Sequence, residues 1–381
     1  MAIYLDCNAT TPVEPAVATI VKRFLEKDFG NPASPIHDFG VFARAAVDHA
    51  RQQIARVVEA RPDEVIFTSG ATESNNLAIL GLVEEGARSG RRHVLTTAIE
   101  HKSVLEPCAE LARLGFEVEI LPARPDGRFD PQRVAKALRP DTLLVSTMQV
   151  NNETGVLQPI ADLADILANH AAWWHVDAAQ GFGKEFESLR LRRIDLIAVS
   201  GHKIYGPKGV GALIARKREK RLPPLRPLMY GGGQEQGLRA GTLPTPLIAG
   251  LGEAAKLALR HQQERREKCL AFRRRVIPAL ASLGARQNGD EAATLPHAVN
   301  VSLPGIPSDA AIQALKQVIA ISSTSACTSH TSEPSHVLQA MGCSAEQVET
   351  SLRFSWCHLT EEVDWDEVTG ILSNLRNNKG V

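Results

Sequence analysis

The run Ala198-Val-Ser-Gly-His-Lys-Ile-Tyr-Gly-Pro-Lys-Gly209 sets one lysine, Lys203, between the apolar stretch Asp195-Leu-Ile-Ala-Val199 and a glycine-rich turn. A lysine held there by short-range structure, rather than on a solvated helix face, is a candidate for imine chemistry. Its amine condenses with an aldehyde once the site lowers its pKa. Taken alone, the motif reads equally well as an ordinary surface lysine.

Four other segments could share a site with it. Thr68-Ser-Gly-Ala-Thr-Glu-Ser-Asn-Asn76 follows a strand-like run and opens a helical one. Its small residues let backbone N–H groups approach an anion, so Gly70, Ala71 and Thr72 are phosphate-cradle candidates. A Ser/Thr cap with Glu73 in the first turn is the plainer use of the same residues. His175-Val-Asp-Ala-Ala-Gln180 ends a strand with an acid, Asp177, towards the carboxyl edge where open α/β sheets bind ligands. A buried carboxylate needs a cationic partner; the protonated nitrogen of a pyridine ring would serve, and an ordinary helix cap is the plainer use of the same residue. Glu100-His101-Lys102-Ser103 offers an imidazole that could stack on a flat ring or exchange protons near neutral pH, or that simply hydrogen-bonds at the surface. Val150-Asn-Asn-Glu-Thr-Gly155 supplies amides suited to a phenolic oxygen or a carboxylate.

To bring these together the chain must place them at the ends of neighbouring strands. Glu64–Thr68, His93–Thr97, Glu117–Leu121, Thr142–Ser146, Trp174–Asp177 and Gly209–Ala215 read as strands. Helical patterns at Ser74–Ser89 and Ile160–His170 lie between them, which implies βαβ crossovers and a mostly parallel sheet covered on both faces. A long charged helix is expected over Thr245–Leu283. After it, Ala298–Leu303, a helix near Ser308–Gln317 and Ala320–Ser323 form a smaller α+β unit, with a surface loop at Asn288-Gly-Asp-Glu-Ala-Ala. A phosphate turn, an acid, a histidine, an amide pair and a lysine at successive strand ends are what a pyridoxal-phosphate site requires.

The chain has 381 residues with 43 Lys and Arg against 43 Asp and Glu, enough for more than one domain and too balanced for a general nucleic-acid or membrane-surface binder. No apolar run approaches the roughly 20 residues that span a bilayer, and no leader pattern opens the sequence; a cytoplasmic protein is the expectation. The six cysteines are scattered, without the spacing of a disulfide framework or a zinc site, so no metal is expected and most of them read as small buried hydrophobes. Cys327 differs, because Ile321-Ser-Ser-Thr-Ser-Ala-Cys-Thr-Ser-His-Thr-Ser-Glu-Pro-Ser335 is rich in small polar residues and reads as an exposed, mobile loop with an accessible thiol.

Almost from end to end the chain resembles the cysteine desulfurases of the class V aminotransferase fold. The resemblance rests on Tyr4-Leu-Asp-Cys-Asn-Ala-Thr-Thr-Pro12, Gly30-Asn-Pro-Ala-Ser34, Ser69-Gly-Ala-Thr-Glu-Ser74, His175-Val-Asp-Ala-Ala-Gln180, Ser200-Gly-His-Lys203, Arg239-Ala-Gly-Thr242 and Ser325-Ala-Cys-Thr328. It implies fold type I of the pyridoxal-phosphate enzymes: a large α/β domain over residues 16–255, a smaller α+β domain over 256–381, and an N-terminal segment 1–15 on the small domain. By the same resemblance Lys203 carries the cofactor, Asp177 pairs with its ring nitrogen, Gln180 meets its phenolic oxygen and His101 stacks on the ring. Thr72, Ser200 and His202 hold the phosphate, with Thr242 reaching it from the partner subunit of a homodimer. Asn152 and Arg353 match positions that bind the carboxylate of L-cysteine, and Cys327 takes the sulfur as a persulfide before passing it to an acceptor protein.

Three features depart from the housekeeping pattern of the family. Gln234 and Gln236 stand in Gly231-Gly-Gly-Gln-Glu-Gln-Gly237 where the iron–sulfur-type enzymes usually carry His and Arg. Thr324 replaces a glycine common before Ser-Ala-Cys, and the sequence ends at Val381 without the longer C-terminal extension that docks an iron–sulfur scaffold. The expected acceptor therefore stays open between iron–sulfur assembly and a specialised pathway such as DNA phosphorothioation or tRNA thiolation. The rival readings are another enzyme on the same fold, such as a selenocysteine lyase or an aminotransferase, of which the aminotransferase would not need Cys327, and a sulfur-relay protein without catalysis.

Overall fold

The computed structural model describes residues 2–323 and 333–377. In chain order its strands are β1 (Ile3–Tyr4), β2 (Val65–Thr68), β3 (His93–Thr97), β4 (Glu117–Leu121), β5 (Thr142–Met148), β6 (Trp173–Asp177), β7 (Leu196–Ser200), β8 (Gly211–Ala215), β9 (Arg286–Gln287), β10 (Ala298–Ser302), β11 (Ile319–Ala320), β12 (Ser322–Ser323) and β13 (Ser351–Ser355). The large sheet runs β2-β8-β7-β6-β5-β3-β4. Its neighbours are parallel except at β8, which runs against both β2 and β7.

Both faces of this sheet are covered, which explains why β5, β7 and β8 are buried along their whole length and read as nearly unbroken apolar runs. Alternate residues enter opposite cores. Phe67, Val145, Trp174, Ile197, Val199 and Ile214 face one; Ile66, Leu144, Leu196 and Leu213 face the other. A separate apolar core joins β10 and β13 to the helices Ser308–Leu315 and Trp365–Asn377. There the order is β12-β13-β10-β9, all antiparallel. The N-terminal strand β1 pairs in parallel with β11, and Leu5 lies in this second core. Residues 6–11 then cross to the edge of the large sheet, where Thr11 N–H and Oγ1 both bond the His202 carbonyl at 3.0 Å.

Three expectations need correction. The helix expected over Ser74–Ser89 is two, Ala71–Leu80 and Val83–Ser89. They part at Gly81, whose carbonyl accepts Arg226 N–H at 2.8 Å instead of continuing the helical ladder. The long helix spans Thr245–Ser282 but is interrupted at His261, whose φ of −112° and ψ of 16° are not helical. The segment from Asn288 is not a plain surface loop. Asn288 is buried, and its Nδ2 donates to Asn300 Oδ1 at 2.8 Å, Ser302 Oγ at 2.9 Å and Ser351 Oγ at 3.2 Å. A polar stretch reads as solvated until tertiary structure supplies its partners.

Candidate active site

The lysine turn is set by glycine. β7 ends at Ser200, and a single 3₁₀ turn, Gly201–Lys203, follows. A Cβ on Gly201 would lie 2.9 Å from the carbonyl oxygens of Pro207 and Val210, so no other residue fits that bend. The N-terminal crossing segment closes over the turn: Lys203 Nζ donates to Ala9 O at 2.8 Å and also to Asn8 O. Lys203 is thus held by residues some 190 positions away, on the wall of a cavity of about 600 Å³.

That cavity also gathers Gly70, Ala71, Thr72, His101, Asn152, Asp177, Gln180, Ser200, His202 and Arg353, together with Lys203 all but two of the sequence-predicted site residues. Gly70 precedes helix Ala71–Leu80, and a Cβ placed on it would meet Ser200 Oγ at 3.9 Å, so the side-chain space at this helix start is shared with Ser200. Gly211 of β8 lets the strands close here, since its Cβ would sit 2.6 Å from Gly70 Cα. His202 adds an imidazole whose Nδ1 lies 3.1 Å from Thr10 Oγ1; burial, reinforced by the neighbouring Lys203 charge, pushes its pKa down to about 4.

Asp177 ends β6 and is buried. Its Oδ1 accepts Ala179 N–H at 2.9 Å, and its Oδ2 accepts Asn75 Nδ2 at 2.8 Å. Asn75 in turn donates to Ser103 Oγ at 2.8 Å, and that hydroxyl lies 2.8 Å from His101 Nδ1. His101 caps helix Lys102–Arg113, its Nδ1 accepting Ser103 N–H at 3.1 Å. Burial lowers the His101 pKa, with Asp177 opposing and Lys203 adding to the shift. Gln180 donates from Nε2 to Asn8 O at 2.9 Å, while its buried Oε1 has no protein partner.

At the other side of the cavity Arg353 of β13 is 1% exposed, its guanidinium forked between Asn152 O at 3.0 Å and Asp6 Oδ1 at 2.6 Å. Beneath the floor lie two buried acids. Glu100 Oε1 accepts Thr97 Oγ1 at 2.6 Å and Met148 N–H at 2.9 Å, and burial raises its pKa to about 8. Glu153, also pushed upward by burial, accepts Ser335 Oγ at 2.5 Å.

Of the other two sequence-predicted residues, one stands outside this constellation. Thr242 is exposed and lines a different cavity, of about 610 Å³, with Asn31, Ala33, Arg51 and Gln234. Cys327 lies outside the described residues. Of the remaining cysteines, Cys7, Cys108, Cys269 and Cys357 are buried, as expected of small hydrophobes. Asn8, Asn75, Asp6 and Ser103 are site residues that sequence reasoning did not single out. Each sits inside or beside a quoted motif, yet only the fold shows what it touches. No group of three or more His, Cys, Asp or Glu among the described residues could hold a metal ion.

These residues fit a phosphorylated pyridine aldehyde. An amine, a buried carboxylate, an unpartnered amide oxygen and a glycine-opened helix start share one cavity, which is the donor set such a group requires. The fold and site define a class-V aminotransferase: the profile of the family described as Aminotransferase class-V matches residues 3–368. Within that class the chain belongs to the cysteine desulfurases, enzymes dependent on pyridoxal phosphate. It is 44% identical over 369 residues to cysteine desulfurase IscS of Vibrio campbellii, covering 96% of this chain and 90% of that one. Its match to cysteine desulfurase IscS of Dechloromonas aromatica has the same identity and coverage over 368 residues. Among solved structures, DndA from Streptomyces lividans is 48% identical with a TM-score of 0.82, covering 92% of this chain and 98% of that one. A structure described as SspA in complex with cysteine is 36% identical, with a TM-score of 0.82 and coverage of 94% and 100%.

Proposed function

We propose that this protein takes the sulfur from L-cysteine, releases L-alanine, and holds the sulfur as a persulfide on Cys327 for delivery to an acceptor protein. The observation that carries the reading is the single cavity shared by Lys203, Asp177 and Arg353, three groups drawn from β6, the turn after β7, and β13. Bound pyridoxal phosphate supplies an electron sink for charge developing at the substrate Cα. Lys203 would hold it through the aldehyde carbon, and Asp177 would keep a negative charge at its ring nitrogen. Gln180 would meet its phenolic oxygen, and His101 would cover its ring. Gly70, Ala71, Thr72, Ser200 and His202 would hold the phosphate.

Substrate handling falls to the opposite wall. Arg353 presents a buried, pre-oriented guanidinium to the cysteine carboxylate, with Asn152 beside it. Lys203 Nζ would take the Cα proton and later return one. The Cys327 thiolate attacks the substrate sulfur, forming an S–S bond. The Cβ–S bond breaks with its electron pair left on carbon, and protonation there completes the methyl group of alanine.

A homodimer fits the same reading. Leu25, Phe29, Ile36, Phe39 and Phe42 are 63%, 66%, 89%, 53% and 61% exposed, and the Phe29 and Phe39 rings stack with centroids 5.5 Å apart. A monomer rarely leaves so many large apolar side chains together in water. Asn31 and Ala33, between these residues, line the same cavity as Thr242, which would reach the phosphate of the partner subunit's site. No helix among the described residues is long and apolar enough to cross a membrane, and a cytoplasmic location accords with the reading.

The test is turnover of L-cysteine by the protein loaded with pyridoxal phosphate in the presence of a reducing thiol. Alanine and sulfide should appear in equal amounts, and Cys327→Ser should retain the cofactor while releasing neither. A Cys327→Ser variant releasing sulfide at the wild-type rate would defeat the proposal. A keto-acid product would favour an aminotransferase instead.

A further inference from the structure

Asn75 is fully buried beneath the cavity, and its side chain bridges two groups that the mechanism uses. The orientation of its amide follows from donor counting. Asn75 Nδ2 donates to Asp177 Oδ2 at 2.8 Å, an amide nitrogen being able only to donate. The second hydrogen on that nitrogen points to Ser103 Oγ at 2.8 Å. Ser103 Oγ, already accepting from Asn75, has its own proton left for His101 Nδ1 at 2.8 Å. The backbone N–H of Ser103 approaches the same ring nitrogen at 3.1 Å and can only donate. A proton on Nδ1 would therefore face an N–H at close range, so the neutral ring must carry its hydrogen on Nε2.

We infer that Asn75 is a positioning residue: through Ser103 it ties Asp177 to His101 and aims the Ser103 hydroxyl at Nδ1, a second donor that favours the neutral Nε2–H ring already selected by the Ser103 backbone N–H. The inference rests on the reading of Asp177 and His101 given above and adds a constraint to it. In the resting site His101 meets whatever lies over the cavity as a hydrogen-bond donor, and Nε2 can act as a base only in the other tautomer, with the ring proton on Nδ1. One amide thus links the acid on β6 to the imidazole at the start of helix Lys102–Arg113. The charged and titratable groups acting on His101 are Asp177 from β6, Lys203 from the turn after β7, His336 at the start of helix His336–Ala340, and Lys102 on its own helix.

The experiment is ¹⁵N NMR of histidine-labelled holoenzyme across pH, with His101→Gln assigning the signal, alongside cysteine turnover. Wild-type His101 should show the Nε2–H pattern. Asn75→Ala and Ser103→Ala should keep that pattern, which the Ser103 backbone N–H still enforces, and move the His101 titration midpoint upward, because the hydroxyl that favours the neutral ring is misplaced or lost. Each lost hydrogen bond of this kind contributes about 1 kcal/mol or somewhat more, so turnover should drop roughly tenfold, with the acid limb of its pH profile moving with the NMR midpoint. Ser103→Thr, which keeps the hydroxyl, should restore both readouts. A His101 midpoint unchanged in Asn75→Ala, whether or not turnover falls, would overturn the inference and leave Asn75 a packing residue. Absence of cysteine turnover in the wild-type holoenzyme would refute the desulfurase reading instead, and the NMR midpoint would still decide the inference.

Discussion

Glu100 offers a quantitative test of how dry the floor of the site is. Its carboxyl is fully buried, with Oε1 accepting from Thr97 and Met148 and Oε2 without a protein partner. Burial raises its pKa from the ordinary 4.5 to about 8. The folded state therefore keeps a proton that the unfolded chain loses, and folding is opposed progressively as pH rises from 4.5 towards 8, levelling off above that. Replacing the acid by its neutral isostere, Glu100→Gln, preserves the acceptor at Oε1 and removes the penalty. At pH 7 the unfolded carboxyl lies about 2.5 units above its pKa, so the predicted gain is about 3 kcal/mol at 1.36 kcal/mol per unit. At pH 5 the gain shrinks to about 1 kcal/mol by the same arithmetic. Urea unfolding of wild type and variant at both pH values measures the difference, and steric effects of the substitution cancel in it. An equal gain at pH 5 and pH 7 would refute the reasoning, because it would mean that Glu100 is ionised within the fold.

Other predictions concern the walls of the cavity. Arg353→Lys keeps a charge but loses the fork onto Asn152 O and Asp6, so the KM for L-cysteine should rise roughly tenfold to hundredfold, with a smaller change in kcat; an unchanged KM would remove Arg353 from substrate binding. Lys203→Ala should abolish covalent retention of the cofactor, so that borohydride fixes pyridoxal phosphate to the wild type and not to the variant. Joint Phe39→Asp and Phe42→Asp substitutions should halve the sedimenting mass and weaken cofactor retention; a wild type that already sediments as a single chain would contradict the dimer reading.

The chemistry of the site was legible because it is written in local motifs. Ser200-Gly-His-Lys203, the turn at Gly70 and the strand-end acid Asp177 each need only a strand and a few following residues to be placed, and short-range physics sets all three. Strand β3 fell where its apolar run put it, since a strand covered on both faces leaves a plain signal. The errors lie where long-range contacts override local pattern. Gly81 breaks a helix because Arg226 takes its carbonyl, and Asn288 is buried because Asn300, Ser302 and Ser351 satisfy it.

The sequence by itself determined the class of cofactor, and it pointed to a lysine, an acid and a thiol suited to that chemistry, because these are matters of residue type in short ordered motifs. Only the tertiary structure decided which groups hold them. The carbonyls of Asn8 and Ala9 reach Lys203 across more than 190 residues, and Asp6 meets Arg353 across 347. Asn75 meets Asp177 across 102 residues. Such partners leave no periodicity or spacing in the chain; they exist because the N-terminal segment pairs with the second sheet and is then carried across to the first. Thr242 marks the same boundary from the other side, a residue whose motif predicts a phosphate contact and whose place in a single chain is a neighbouring cavity.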